Sequence, residues 1–136
     1  AVGFADAIGS PWVEAYLRVA LVPIQILRGK YAEADANLVR VHHLCAECGA
    51  HQLAFLGHAQ QAHLHLARGE HDACVNTLRA ALAHGRARDY RAVHPWWLPD
   101  VMARLLAIAL DHDIEVPYVQ RMIRETYKWV LAPMQV

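Results

Sequence analysis

Charged residues and nucleophilic hydroxyls are scarce in this chain of 136 residues. Asp, Glu, Lys and Arg make up only 19% of it, and the formal net charge is zero with neutral histidines. This balance argues against phosphate binding over the whole surface, so we expect no direct nucleic-acid contact. Ser10 is the one serine, and as the residue before Pro11 it is predicted to be a helix N-cap. We therefore predict no enzymatic activity.

Long apolar runs and patterned cysteines are also missing. The most apolar stretch, 19–27, contains Pro23 and is far shorter than the roughly 20 residues of a membrane-spanning helix. Three cysteines give no disulfide pattern, and residues 1–10 lack the basic start of a signal peptide. We therefore expect a cytoplasmic location away from membranes. Since the chain begins without Met, we also expect a piece of a longer protein.

One phrase of the sequence occurs twice. Residues 28–34 (RGKYAEA) return loosely as 68–74 (RGEHDAC), and apolar or small residues follow each copy at matching distances. The matching pairs are Leu38 with Leu78 and Val41 with Ala81. A fixed internal period of this size is typical of stacked helix-turn-helix units.

Helical periodicity and turn residues divide the chain into six predicted helices. They cover about 11–28, 31–48, 51–68, 71–84, 99–112 and 117–129. Gly29, Gly49, Gly69 and Gly85 are the predicted stops, and Pro23 predicts a kink in the first helix. No period-2 alternation predicts a strand. We therefore expect an all-α fold over 1–136, a single domain in which about six antiparallel helices form a right-handed stack.

Two segments carry a resemblance to a known family. The pattern Gly-x-Tyr-x-x-Ala at 29–34, with its following apolar residues, resembles the turn of tetratricopeptide repeats. The tail, WWLPDVMARLLAIAL at 96–110 and IEVPYVQRMIR at 114–124, looks like the end of the helical-repeat region of large LuxR-type ATP-dependent bacterial transcription regulators, the group of the maltose-regulon activator. Such proteins typically have Gly where Asp113 stands.

The resemblance implies a tetratricopeptide-like α-solenoid that senses rather than catalyses. The chain is then expected to bind a protein or small-molecule effector and to relay that state to a DNA-binding module outside 1–136. Neighbouring domains of the same polypeptide are further expected partners. The alternative is a general protein-interaction scaffold with no small-molecule ligand. No phosphate-binding loop is present, and we expect no cofactor.

Ten histidines supply the candidate binding residues. His51, His58 and His65 lie seven residues apart on the third predicted helix, and Gln61 stands between the last two. As a functional site, this column would border a groove that binds an anionic or aromatic ligand, or would sense pH. The structural alternative, which we prefer, is that the histidines lie at the edge of a packed helix face. Its members are about 10.5 Å apart along the helix axis, too far for one metal ion.

Three further clusters have both a functional and a structural interpretation. Trp96 and Trp97 are candidate binding residues, although we favour a structural role in which they pack at the start of a helix. Arg86, Arg88 and Arg91 are a candidate phosphate contact, although a solvated loop is favoured.

His42, His43, Cys45 and Cys48 have the residue types of a zinc site. However, both cysteines fall on the apolar stripe of the second helix, in step with Leu38 and Val41, and no second Cys pair completes a site. We therefore expect a structural role for these cysteines and no bound metal.

Overall fold

A computed structural model of the chain describes residues 9–90 and 99–127. Within these residues, six α-helices occur in the order α1 (Pro11–Leu27), α2 (Tyr31–Cys48), α3 (His51–Ala67), α4 (His71–Ala87), α5 (Pro99–Asp111) and α6 (Val116–Met122), and a π-helical turn (Ile123–Tyr127) follows α6. The described residues contain no strand, and the six helices pack against one another. The predicted all-α class is therefore confirmed. None of the described helices has the length and apolarity to cross a membrane.

The start of α1 follows the sequence signal. The Ser10 hydroxyl oxygen accepts a hydrogen bond of 3.2 Å from the Val13 N–H, and Pro11 occupies the first helical position. Such a cap satisfies one of the backbone donors that a helix start leaves without a partner. Ser10 is thus occupied with a structural task.

The turns after α1, α3 and α5 share one hydrogen-bond pattern. After α1, the N–H groups of residues 28, 29 and 30 bond to the carbonyls of 24, 26 and 25, at 3.1, 3.0 and 2.8 Å. The turns at 68–70 and 112–114 repeat these bonds at 2.9–3.2 Å. Gly29, Gly69 and Asp113 stand at the middle position with φ of 73°, 75° and 54°. The turn after α5 is therefore a third copy of the repeated turn, with Asp in the left-handed position that favours glycine.

The packing pattern of the helices follows these turns. The pairs α1–α2, α3–α4 and α5–α6 each pack together, and α2 also packs against α3. In addition, α1 contacts α3 and α3 contacts α5, so alternate helices touch across the intervening one. Positions that match at the forty-residue period are equally buried: Ala34 and Cys74, Leu38 and Leu78, Val41 and Ala81.

Pro23 determines one contact between α1 and α3. Helix α1 continues through Pro23, which has no N–H for the carbonyl of Val19 four residues earlier. The side-chain amide nitrogen of Gln60 donates to that carbonyl at 3.1 Å, from a side chain that is only 3% exposed. The proline in one helix is therefore compensated by a glutamine in another.

One predicted helix end was wrong. Helix α4 does not stop at Gly85 but continues to Ala87. A Cβ atom at Gly85 would lie 2.6 Å from Phe55 Cε1 and 2.7 Å from the Tyr118 hydroxyl. Glycine stands there because two aromatic side chains approach the helix, and not because the backbone must turn. The sixth helix was predicted to reach about residue 129. Its α-helical part ends at Met122, a π-helical turn continues it to Tyr127, and its predicted end lies outside the described residues.

Candidate functional site

The first half of the predicted histidine column lies in a cluster of rings where α2, α3 and α4 meet. His58 of α3 stacks on His42 of α2, with ring centroids 4.4 Å apart and planes inclined by 24°. On its other side, the His58 ring lies 6.1 Å from His84 of α4, and His84 lies 6.3 Å from His51. We call these four residues, His42, His51, His58 and His84, the histidine cluster.

Hydrogen bonds fix two rings of the cluster. His84 Nε2 lies 3.1 Å from the backbone carbonyl of His51, and because a carbonyl only accepts, this nitrogen carries the proton. Arg88 donates to His51 Nδ1 at 3.3 Å, so that nitrogen accepts the bond. The Phe55 and Tyr90 rings lie beside His84, at 6.4 and 6.1 Å. The cluster thus joins imidazoles, an aromatic wall and one guanidinium.

The surroundings of the cluster disfavour protonation. Burial and, secondarily, the neighbouring imidazoles of His42 and His84 together lower the pKa of His58 to about 4. Burial also lowers the pKa of His42. The pKa of His84 is lowered chiefly by burial, although its bond to the His51 carbonyl acts in the opposite direction. All three shifts favour the neutral form of the imidazole.

The geometry of the cluster does not suit a metal ion. Parallel stacking of His42 on His58 places ring face on ring face, whereas ligand nitrogens must converge on one point. Across residues 9–90 and 99–127, no group of three or more His, Cys, Asp or Glu residues could hold a metal ion. Cys45 is buried and Cys48 is exposed. Burial, and secondarily Cys48, raises the pKa of Cys45 to about 11, so its thiol stays protonated.

The second half of the column belongs to a different contact. The Gln61 side-chain amide donates to His65 Nε2 at 3.4 Å, and His65 Nδ1 lies 2.8 Å from a carboxylate oxygen of Glu70. His65 therefore ties the end of α3 to the start of α4 across the Gly69 turn. The structure brings His51 and His58 into one cluster but leaves Gln61 and His65 outside it. Trp96 and Trp97 lie outside the described residues.

A polar network between α1 and α2 was missed by sequence reasoning. Glu14, only 5% exposed, accepts from Arg18 at 2.7 Å and from Arg40 of α2 at 2.9 Å. Arg18 also donates to Asn37 at 2.6 Å, and Asn37 donates to Gln25 at 2.9 Å. The spacing of Glu14 and Arg18 by four residues was a visible signal. Their partners on α2 were not visible, because no local pattern reveals contacts between helices.

Two shallow clefts lie near helix ends. One of about 240 Å³ is lined by Gly9, Ser10, Pro11, Glu14, Arg40, Leu44 and Glu47. The other, of about 330 Å³, is lined by Leu110, Gln120, Ile123 and Arg124. In the first, Glu14 is already paired with Arg18 and Arg40. The histidine cluster therefore remains the candidate site, since it combines ring faces, hydrogen-bonding nitrogens and a cation at a junction of three helices.

In comparisons with known proteins, no family model, no curated protein and no solved structure matches this chain.

Proposed function

We propose that the chain is a non-catalytic helical-repeat domain of tetratricopeptide type, in which antiparallel hairpins α1–α2, α3–α4 and α5–α6 stack with a right-handed twist. The observation that carries this proposal is the turn repeated at Gly29, Gly69 and Asp113 with one hydrogen-bond pattern. Contacts of α1 with α3 and of α3 with α5 support it, because stacked hairpins bring alternate helices together.

Within this stack the domain senses an effector in the cytoplasm, as the resemblance to LuxR-type bacterial transcription regulators implies. The histidine cluster supports the sensing role by its position. His42 belongs to the first hairpin, whereas His58 and His84 belong to the second. A ligand held there contacts both hairpins and favours the packing arrangement to which it binds more tightly. That shift is the signal relayed to a DNA-binding module outside this chain.

The chemistry of the cluster indicates an anionic, partly aromatic ligand. Arg88 supplies a permanent positive charge, and the imidazoles supply N–H donors. The rings of Phe55 and Tyr90, whose centroids are 5.5 Å apart, supply an apolar surface. Benzoate and inorganic phosphate are therefore suitable first probes, because the first has both features and the second has charge alone.

A thermal-shift titration tests the proposal. We expect benzoate to raise the unfolding temperature with concentration more than phosphate does, because a ligand of the folded state stabilises it by mass action. The rise should be lost in His58→Asn and kept in His43→Asn, since the side chain of His43 is 67% exposed on the same helix as His42 and outside the cluster.

The alternative is a protein-interaction scaffold without a small-molecule ligand. It is favoured by the large apolar side chains exposed on the first hairpin, among which Leu27 is 87% and Val39 is 62% exposed. Absence of any stabilisation by either probe, together with tight binding of a protein partner, would decide for the scaffold.

A further inference from the structure

Helices α1 and α3 occupy equivalent places in the forty-residue repeat and bury one equivalent face. Ala15 and Val19 in α1 are fully buried, and Phe55 and Ala59, which stand forty residues later in α3, are buried as well. This shared face is the one that each helix turns toward the core. The two helices differ on their second face.

The second face of α3 packs on the first hairpin. A Cβ atom at Gly57 would lie 3.2 Å from the Val41 side chain. Gln60 bonds to the Val19 carbonyl, and the fully buried Leu64 belongs to a cluster of apolar residues from α1 and α2. We call Gly57, Gln60 and Leu64 the stacking face of α3.

The equivalent positions of α1 are apolar but uncovered. Forty residues earlier than the stacking face stand Leu17, Ala20 and Ile24. Leu17 and Ala20 are half-buried and Ile24 is 48% exposed, whereas all three counterparts in α3 are buried. An apolar surface equivalent to the stacking face is therefore present on α1, but no described pair of helices covers it as α1 and α2 cover α3.

The uncovered surface extends to the C-terminal end of α1, where Leu27 is 87% exposed. At 100° per residue, Leu27 falls on the same side of the helix as Leu17, Ala20 and Ile24. End units of helical arrays carry polar outer faces, which keep the array soluble. Helix α1 lacks that polar face.

We propose that the face formed by Leu17, Ala20 and Ile24 is a docking surface for a further amphipathic helical hairpin, which packs on α1 as the hairpin α1–α2 packs on α3. The kind of partner is inferred from the interface that α1 and α2 already form with α3. The α1–α2 hairpin covers α3 through Val22, Ile26, Ala34 and Leu38 around Leu64, so the incoming hairpin presents similar small and branched residues around Ile24. The proposal rests on the repeat stack proposed above and requires no ligand.

A tandem duplication tests the docking surface. Residues 10–49 are inserted a second time directly before Ser10, which keeps the forty-residue period and the N-cap and places a known hairpin on α1. We expect one cooperative unfolding transition in urea with a higher midpoint and a steeper slope than in the parent chain, because additional surface is buried in the same unit.

The duplicated chain contains its own matched control, since Ile24 now occurs in an inner and an outer copy of the same helix. Ile24→Asp in the inner copy should return the midpoint to that of the parent or below, and the same substitution in the outer copy should leave it unchanged. Equal effects of the two substitutions, or separate melting of the added hairpin, would refute the docking surface.

The oligomeric state of the parent chain separates this proposal from self-association. A dimer that Ile24→Asp dissociates would assign the face to a second copy and overturn the proposal, whereas a monomer agrees with it. The readouts are independent of the benzoate titration, so a failed effector test and a failed docking test are distinguishable.

Discussion

Gly85 leaves the space into which Phe55 and Tyr118 fit against α4. The Tyr118 hydroxyl donates to the Tyr90 carbonyl at 2.5 Å, so this ring holds α6 against the end of α4. Gly69, in contrast, has nothing within 4 Å of a Cβ atom and is needed for its positive φ alone. The two glycines therefore respond to substitution for separate reasons.

Gly85→Ala should lower the free energy of unfolding by about 1–3 kcal/mol, because overpacking outweighs the ~0.5–1 kcal/mol that alanine gains in a helix. Urea denaturation followed by circular dichroism measures the change. The matched control is Ala80→Gly at an exposed position of the same helix, where alanine should be the more stable residue. A gain in stability from Gly85→Ala would contradict the close approach.

Substitutions at the left-handed turn positions Gly69 and Asp113 are predicted to change the free energy of unfolding in opposite directions. Gly69→Ala should cost about 1–2 kcal/mol, since φ of 75° is unfavourable for a residue with a Cβ atom. Asp113→Gly should stabilise the chain by up to about 1 kcal/mol by relieving the same conformation in the third copy of the turn. Thermal unfolding of both variants beside the parent measures the pair. Destabilisation by Asp113→Gly would show that the Asp side chain contributes more than its backbone costs.

At the scale of helices, the contact of α1 with α3 depends on an exchange of hydrogen-bond partners. Pro23 removes the donor that the fully buried Val19 would have had within its own helix, and Gln60 supplies another. The Gln60 side-chain oxygen has no hydrogen-bond partner within the described part of the chain. The Gln60 amide therefore contributes to the α1–α3 contact through its N–H donor.

Gln60→Leu should therefore cost about 1–3 kcal/mol in the parent chain, because it leaves a buried carbonyl without a donor. In a Pro23→Ala background the same substitution should be nearly neutral, since residue 23 then supplies its own N–H. A double-mutant cycle from four urea titrations gives the coupling between the two positions, which we expect to be at least about 1 kcal/mol. Additive effects would show that the glutamine does not substitute for the missing helical bond.

The sequence predicted the elements well where the signal was local. Ser10, Gly29, Gly49 and Gly69 marked helix ends, since capping and left-handed turns depend on residues close in sequence. The helix end predicted at Gly85 was wrong for the same reason. No local pattern distinguishes a glycine in a turn from a glycine that makes room for an aromatic ring.

The candidate site was predictable only in part. The spacing of His51 and His58 singled out one face of α3, but His42 and His84 come from other helices and the sequence gives no register between helices. The same spacing suggested one column through His65, whereas Gln61 and Glu70 hold that ring at the α3–α4 turn. Side-chain partners across helices depend on packing, which periodicity does not specify.

At the scale of the whole molecule, we expect the histidine cluster to make the packing of α2 against α3 and α4 depend on pH. The rings of His42, His58 and His84 come from α2, α3 and α4, and the charged Arg88 guanidinium acts on His84 and bonds to His51. Protonation would place positive charges against one another and against this guanidinium. The seam of α2 with α3 and α4 is thus expected to be stable when its imidazoles are neutral.

The sign of the pH dependence follows from the lowered pKa values. His58 has a pKa of about 4 in the folded chain and about 6.5 when unfolded. Between these values the unfolded chain binds the additional proton, so the stabilisation is complete above pH 6.5 and is lost as pH falls toward 4. Allowing for the partial exposure of the ring, we expect a loss of about 2 kcal/mol from His58 over this interval.

Urea titrations at pH 7.5, 6 and 5 in the parent chain and in His58→Asn measure this loss. Because carboxylates also titrate at the acidic end, the informative quantity is the difference between the two chains, which should shrink as pH falls. His43→Asn, at an exposed ring on the helix of His42, should follow the parent at every pH. If His58→Asn kept the full pH dependence of the parent, the imidazoles at the seam would not be the groups that respond to acid.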